Sequence, residues 1–282
     1  MSFTSNRATA SRARSWLFTP ATRPERFANA LDCGADVLIA DLEDAVPPDQ
    51  KVVARGNVRS LLHSPRGESV PQLAIRINTP LSRFGLDDLV MLLDAPHTPD
   101  FLLLPKIESL EPVRQVALLF AEADKAPALV PMIESARGLI AVVPIAQADE
   151  TVTAVMFGAA DYAADVGAQP DALALQIARG MLASGCRSAG VLAIDSPCFA
   201  LRDSQLLEGD LAFAVRNGFH AKAAIHPLHV RTINSAFTPT PERVTWARRV
   251  LEAITQSGVA ILDGRMVDEA MAREARRIIE IS

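Results

Sequence analysis

Apolar positions along the chain alternate between two patterns. Short runs rich in β-branched and aliphatic residues cover residues 15–20, 37–43, 72–78, 101–107, 128–134, 152–158, 190–196 and 221–227. Between them lie stretches long enough for one helix each: 24–33, 50–62, 83–93, 110–121, 136–148, 172–184, 203–217 and 228–234. A short apolar run closed by polar or turn-forming residues reads as a strand buried on both faces, as in a parallel sheet. Eight such strands in strict alternation with helices predict a closed TIM-type (β/α)8 barrel of the α/β class. An open doubly wound sheet is the alternative, and no GxGxxG or Walker sequence supports it as a nucleotide binder.

The pattern continues past the eighth unit. Residues 241–256 and 269–281 have helical spacing and are joined by Ser257-Gly258 and Asp263-Gly264. The expected organisation is a flexible tail over 1–14, a barrel over 15–238 and a helical appendage over 239–282. Val244, Ala247, Val250, Leu251 and Ile254 form an apolar stripe that needs a surface to bury. The appendage could cover the barrel mouth, plug its wall or reach a neighbouring subunit's site.

Composition narrows the function classes. At 282 residues, 49% hydrophobic and 22% charged, the chain can bury one large core. A net charge of −5 and a pI near 5.6 argue against nucleic acid. The longest apolar run, 138–146, contains Pro144 and is too short to span a bilayer, so no membrane role is expected. Three cysteines without metal-like spacing point to a reducing, cytoplasmic setting. The Ser- and Arg-rich N-terminus has no apolar core and is not a secretory signal.

In α/β folds the chemistry gathers at the C-terminal ends of the strands. Strand two ends in Asp41, Glu43 and Asp44, either an acidic site or a solvated turn with a helix cap. Strand three carries Arg76 within an apolar run. It pairs with the acids of strand two, recognises a substrate anion, or does both. Glu134 and Asp161 follow strands five and six, one βα unit apart. Two such carboxylates suit Mg2+, which takes oxygen ligands and keeps waters; the competing reading is that each caps its following helix. His226, near His220 and His229, fits no zinc pattern and reads as support for the end of strand eight. Lys106 is a further polar residue at the mouth without an assigned role.

These residues fall into motifs that resemble a known family. Residues 14–20 (RSWLFTP), 41–46 (DLEDAV), 75–78 (IRIN), 131–138 (PMIESARG), 157–161 (FGAAD), 193–195 (AID), 222–227 (KAAIHP) and 263–268 (DGRMVD) resemble the citrate lyase β-subunit-like proteins of the HpcH/HpaI aldolase/citrate lyase family. The resemblance runs in order over nearly the whole chain from Arg14. It implies a Mg2+-dependent carbon–carbon lyase that cleaves or forms a hydroxyacyl-CoA from an acyl-CoA and a small 2-oxo acid, in citryl-, malyl- or citramalyl-CoA-like chemistry. It implies Glu134 and Asp161 as Mg2+ ligands, with Glu134 also at the substrate, and Arg76 on the oxo-acid or enolate oxygen. Asp41, Glu43 and Asp44 become the acidic stretch near the metal waters, and Phe18, Arg23, Ile225 and His226 the contacts to the thioester carrier. Asp268 corresponds to an acid/base supplied to a neighbouring subunit, and the homo-oligomer would be a trimer or hexamer. Ala21 and Asn29 stand where relatives carry Gly and a base, leaving Arg23 and Arg26 as the local cations. The resemblance also admits a thioesterase on the same site, or a citrate lyase β subunit using a carrier-protein thioester.

Overall fold

The computed structural model describes residues 12–63, 71–169, 171–257 and 259–282. All eight expected strands form: β1 Ser15–Pro20, β2 Val37–Asp41, β3 Gln72–Arg76, β4 Phe101–Leu104, β5 Ala128–Ile133, β6 Ala154–Phe157, β7 Leu192–Asp195 and β8 Ala221–Ala224. They close in sequence order into one parallel barrel, with β1 hydrogen-bonded to both β2 and β8. The fold is therefore the TIM-type barrel. The first eleven residues of the expected tail lie outside the described residues, whereas Arg14 is already tied in. Its guanidinium pairs with Asp36 at 2.9 Å and its carbonyl accepts the Lys222 N–H.

Successive strand residues point to opposite faces, so a period of two sorts the side chains. Trp16, Val37, Ile39, Ala74, Phe101, Leu103, Val130, Met132, Met156 and Ala223 pack the interior, where the Trp16 and Phe101 rings lie 4.6 Å apart. The same parity carried one step further puts Phe18, Asp41, Arg76 and Glu134 inside the C-terminal mouth.

Asp195 and Lys222 have the other parity and face the outer helices. They are wholly buried there and pair with each other at 2.6 Å. Arg179 reaches Asp195 and Asp210 at 2.6 and 2.8 Å, and Lys222 also meets Asp210 at 2.7 Å. Two cations and two carboxylates thus neutralise one another between barrel and helices, and Arg179 stacks on Phe213 at 4.2 Å.

The helices are α1 Pro24–Leu31, α2 Lys51–His63, α3 Arg83–Asp94, α4 Glu111–Glu122, α5 Ala136–Ile140, α6 Val142–Ala146, α7 Ala159–Val166, α8 Leu173–Ala189, α9 Ser204–Arg216 and α10 Val230–Phe237. The single helix expected over 136–148 is two. Pro144 has no N–H to donate and its ring crowds the carbonyl of Ile140, so the break falls at Ala141. Helix α7, between β6 and α8, was not expected.

The chain divides into two compact units, through Asn234 and from Ser235. The second holds α11 Pro241–Ser257, the antiparallel pair β9 Ala260–Leu262 and β10 Arg265–Val267, and α12 Glu269–Glu280. Asp263 and Gly264, both at positive φ, form the turn between β9 and β10, where an Asp-Gly pair signals a two-residue hairpin. The stripe of Val244, Ala247, Val250, Leu251 and Ile254 packs into this unit's own core with Val267, Ala275 and Ile278. It therefore needs no foreign surface. Among the described residues, no helix is long and apolar enough to cross a membrane.

The buried tetrad yields a stability prediction. Lys222→Met removes one cation and leaves the buried Asp195 and the half-buried Asp210 sharing Arg179, a type of change that costs about 3–5 kcal/mol. Urea unfolding should show the midpoint fall by a corresponding amount. A loss below about 1 kcal/mol would mean that solvent screens the cluster. Asp210 is held below the usual carboxylate range: its burial acts the other way but is outweighed by Lys222 and Arg179. Its stabilisation is present above the ordinary carboxylate pKa and is lost as pH falls through the depressed value.

Candidate active site

The barrel mouth opens into a cavity of about 740 Å³ lined by Phe18, Arg26, Asp41, Asp44, Arg76, Glu134, Gly158, Asp161, Phe199, Ile225 and His226, among others. Arg76 organises one wall. Asp41 and Arg76 are aligned neighbours on β2 and β3, so their side chains emerge side by side. The Arg76 Nε donates to Asp41 Oδ1 at 2.7 Å and Nη2 to Oδ2 at 2.6 Å, a bidentate fork. Nη1 lies 3.0 Å from Glu43 and 3.4 Å from Asp44, and the guanidinium sits 4.8 Å above the Phe18 ring. Strand-two pairing is thus real for Arg76, and its place in the cavity wall keeps anion recognition open.

The loop after β2 is held from beneath. Asp41 accepts the Glu43 N–H at 2.9 Å. The buried Lys51 ammonium donates to the carbonyls of Leu42 and Glu43 and to Asn78. Asn78 in turn donates to Asp88, itself paired with Arg55. The acidic stretch is therefore a fixed loop and not a solvated turn.

Glu134 follows β5 and is buried. It does not cap its helix: Ser135 does, accepting the Gly138 N–H at 3.1 Å. Its Oε2 accepts the Lys106 N–H at 2.8 Å. On the other side it lies against Gly158, where an added Cβ would stand 2.7 Å from Oε1 and 2.5 Å from Cγ. Asp161 occupies the third position of α7, whose N-cap is Gly158 without a side-chain bond, so it is no N-cap either. Burial pushes the Glu134 carboxyl up to about 8, the charges of Glu43 and Asp161 add to this, and Arg76 and Lys106 oppose it. Burial likewise raises Glu43 to about 7 against Arg76 and Lys106.

Five carboxylates, from Asp41, Glu43, Asp44, Glu134 and Asp161, thus gather at one mouth with Arg76 and Lys106 as the cations among them. Among the described residues no group of three or more His, Cys, Asp or Glu side chains is placed so that together they could hold a metal ion. A cage supplied wholly by protein is therefore absent there. Two carboxylates with open positions left for waters and substrate oxygens suit Mg2+. The residues present fit such an ion, with Glu134 and Asp161 as the groups that would hold it.

The other expected contacts divide. Ile225 and His226 line the cavity, and His226 also caps the turn Pro227–His229 by accepting the Leu228 N–H. Arg23 does not line it; it is exposed and lies 3.8 Å from Glu25, while Arg26 takes the place at the wall. The side chain of Asn29 lies outside the described residues. Asp268 N-caps α12, accepting from Ala270 and Met271 through Oδ1. Lys106 and Lys51 were not assigned from sequence. A lysine ending an apolar strand run was the visible signal for the first, and no signal marked the second.

Comparison with known proteins agrees with this architecture. The family model described as HpcH/HpaI aldolase/citrate lyase matches residues 14–227. A citrate lyase subunit beta-like protein of Mycobacterium tuberculosis is 33% identical over 272 residues, covering 94% of this chain and 93% of the relative. An L-malyl-CoA/beta-methylmalyl-CoA lyase of Rhodobacter capsulatus is 33% identical over 300 residues, with coverage of 94% and 93%. Among solved structures, CitE of M. tuberculosis in complex with magnesium, acetoacetate and coenzyme A is 30% identical. It aligns over 96% of this chain and 98% of its own with a TM-score of 0.79. RipC of Yersinia pestis is 42% identical over 83% of this chain and 99% of its own, with a TM-score of 0.73.

The raised Glu134 carboxyl gives a pH-dependent expectation. In the metal-free protein the proton is held up to about pH 8, so the stability it confers is full below the ordinary carboxylate value and is lost as pH rises through about 8. A cation competes with that proton. The Mg2+-induced rise in Tm should therefore be larger at pH 8.5 than at pH 6, and Glu134→Gln should abolish the difference. A pH-independent Mg2+ shift in the native protein would contradict this account.

Proposed function

The chain belongs to the HpcH/HpaI aldolase/citrate lyase family, and from that premise we propose that it is a Mg2+-dependent lyase acting on a hydroxyacyl-CoA, which it cleaves into an acyl-CoA and a 2-oxo acid. The observation that carries this reading is the meeting of Glu134, Asp161 and the Asp41-anchored Arg76 in one cavity at the barrel mouth. Related proteins bearing magnesium with acetoacetate and coenzyme A, or with oxaloacetate, support it.

Each residue has a task that follows from its setting. Glu134 and Asp161 would hold the ion, which when bound would polarise the oxygens of the oxo acid. Arg76 is clamped by Asp41 and cannot reorient, so its guanidinium offers a preorganised charge to the oxygen that becomes anionic. A base takes the hydroxyl proton, the C–C bond breaks, and its electron pair moves into the thioester as an enolate. Protonation of that enolate completes the acyl-CoA. Met132 and Met156, one layer below Glu134 and Gly158 on the inward faces of β5 and β6, give the cavity an apolar floor suited to a small substrate. Ile225, His226 and Arg26 stand where the thioester carrier would lie. With only three cysteines in 282 residues, the protein suits a reducing cytoplasm.

The test is product analysis on a panel of hydroxyacyl-CoA thioesters. Acyl-CoA plus a 2-oxo acid is expected, dependent on added Mg2+. Free acid plus CoA would make the protein a thioesterase instead. Glu134→Gln and Asp161→Asn should abolish metal-dependent turnover with the fold intact. Arg76→Lys should lower kcat about 10²–10³-fold, because a point charge does not replace the guanidinium fork. An unchanged kcat/KM would reduce Arg76 to a partner of Asp41.

The proton donor is the remaining part. We assign it to Asp268 from another copy in a homo-oligomer, since both of its cap bonds fall on Oδ1 and the acid is only half-buried. Asn caps a helix as well as Asp does, so Asp268→Asn preserves α12 and removes only the acid. Mixing inactive Asp268→Asn chains with inactive Glu134→Gln chains should restore activity once subunits exchange. No recovery after verified exchange would confine Asp268 to its own cap.

A further inference from the structure

Three non-glycine residues among those described have positive φ. Asp124 and Asp263 sit at a helix end and in a hairpin turn, where a short polar side chain tolerates that conformation. Lys106, at φ 55°, has neither excuse: it follows β4 and Pro105, next to the candidate metal ligands. Backbone strain of this kind persists only where surrounding contacts enforce it.

The contacts are visible. The Lys106 ammonium is bonded to Glu43 Oε1 and lies 3.2 Å from Asp44 Oδ1. Its own N–H donates to Glu134 Oε2 at 2.8 Å, and the next N–H, of Ile107, donates to the Met132 carbonyl at 3.3 Å. The turn at Lys106 thereby redirects the chain so that two successive N–H groups meet the end of β5. Glu134 is pinned between that N–H and the bare face of Gly158.

We infer that Lys106 is a positioning residue: its ammonium, gripping Glu43 and Asp44, holds its backbone in the left-handed conformation that fixes one oxygen of Glu134 and leaves the other for the metal ion. The inference rests on the Mg2+ reading above and adds to it a residue that works through its main chain. Glycine takes a left-handed backbone at no steric cost, whereas alanine and methionine do not. Lys106→Gly, Lys106→Ala and Lys106→Met all lack the ammonium, so a difference that sets glycine apart from both of the others reports the backbone, and a difference between alanine and methionine reports side-chain bulk.

The experiment measures Mn2+ binding to the full-length protein by electron paramagnetic resonance, with Mg2+ as competitor, and the thermal midpoint of each metal-free variant confirms its fold. Lys106→Ala and Lys106→Met should bind about tenfold more weakly than Lys106→Gly, the penalty of one strained residue. They should also bind more weakly than the native protein, although loss of a nearby positive charge would by itself tighten cation binding. Equal affinities for the glycine and alanine variants would overturn the inference, as would alanine and methionine variants that match the native protein. A native protein that binds neither ion fails at the earlier step and removes the Mg2+ reading together with this one.

Discussion

An excess of carboxylates at the end of a low-dielectric barrel is the constraint on which the rest of this molecule turns. The acids of β2 and its loop are tolerable because Arg76 and Lys106 stand among them and Lys51 holds their backbone from below. Glu134 is pushed upward by its burial first and by the charges of Glu43 and Asp161 next, and Arg76 and Lys106 offset this only in part. A protein can relieve such a debt by protonation or by a divalent ion. In the proposed role of Glu134 the first relief would disable the site and the second would make it reactive, so acidity and ion concentration would act on the same group from opposite directions.

Much of this was legible in the sequence, for physical reasons. Apolar runs bounded by turn residues marked all eight strands, because a strand buried on both faces has to be apolar throughout. Arg76, Glu134 and Asp161 stood out because charged groups at the ends of such runs need partners. What stayed hidden depended on register or on backbone torsion. Asp195 and Lys222 look like strand-end chemistry, yet their parity turns them toward the helices. Lys106 carries no letter that announces positive φ. The split at Ala141 and the hairpin at Asp263-Gly264 were different: Pro144 and the Asp-Gly pair were in plain view, and a helical pattern on either side outweighed them.

The two charged clusters show how one fold uses the same chemistry for opposite ends. The tetrad of Arg179, Asp195, Asp210 and Lys222 is balanced, and its ion pairs close on one another between barrel and helices. The mouth cluster is unbalanced and opens onto a cavity. Charge count and parity, more than the identity of the residues, separate reactive site from internal scaffold.

Gly158 has a consequence for how this site can change over evolutionary time. The Glu134 side chain occupies the volume that any β-carbon at position 158 would claim. The two positions therefore form a lock with an order of opening. A lineage that first acquires a side chain at 158 has to displace the carboxylate, whereas one that first shortens the acid at 134 vacates the space and can fill it afterwards. Change at this strand end is coupled, and a chain with a bulkier residue at 158 should carry a smaller residue where Glu134 stands here.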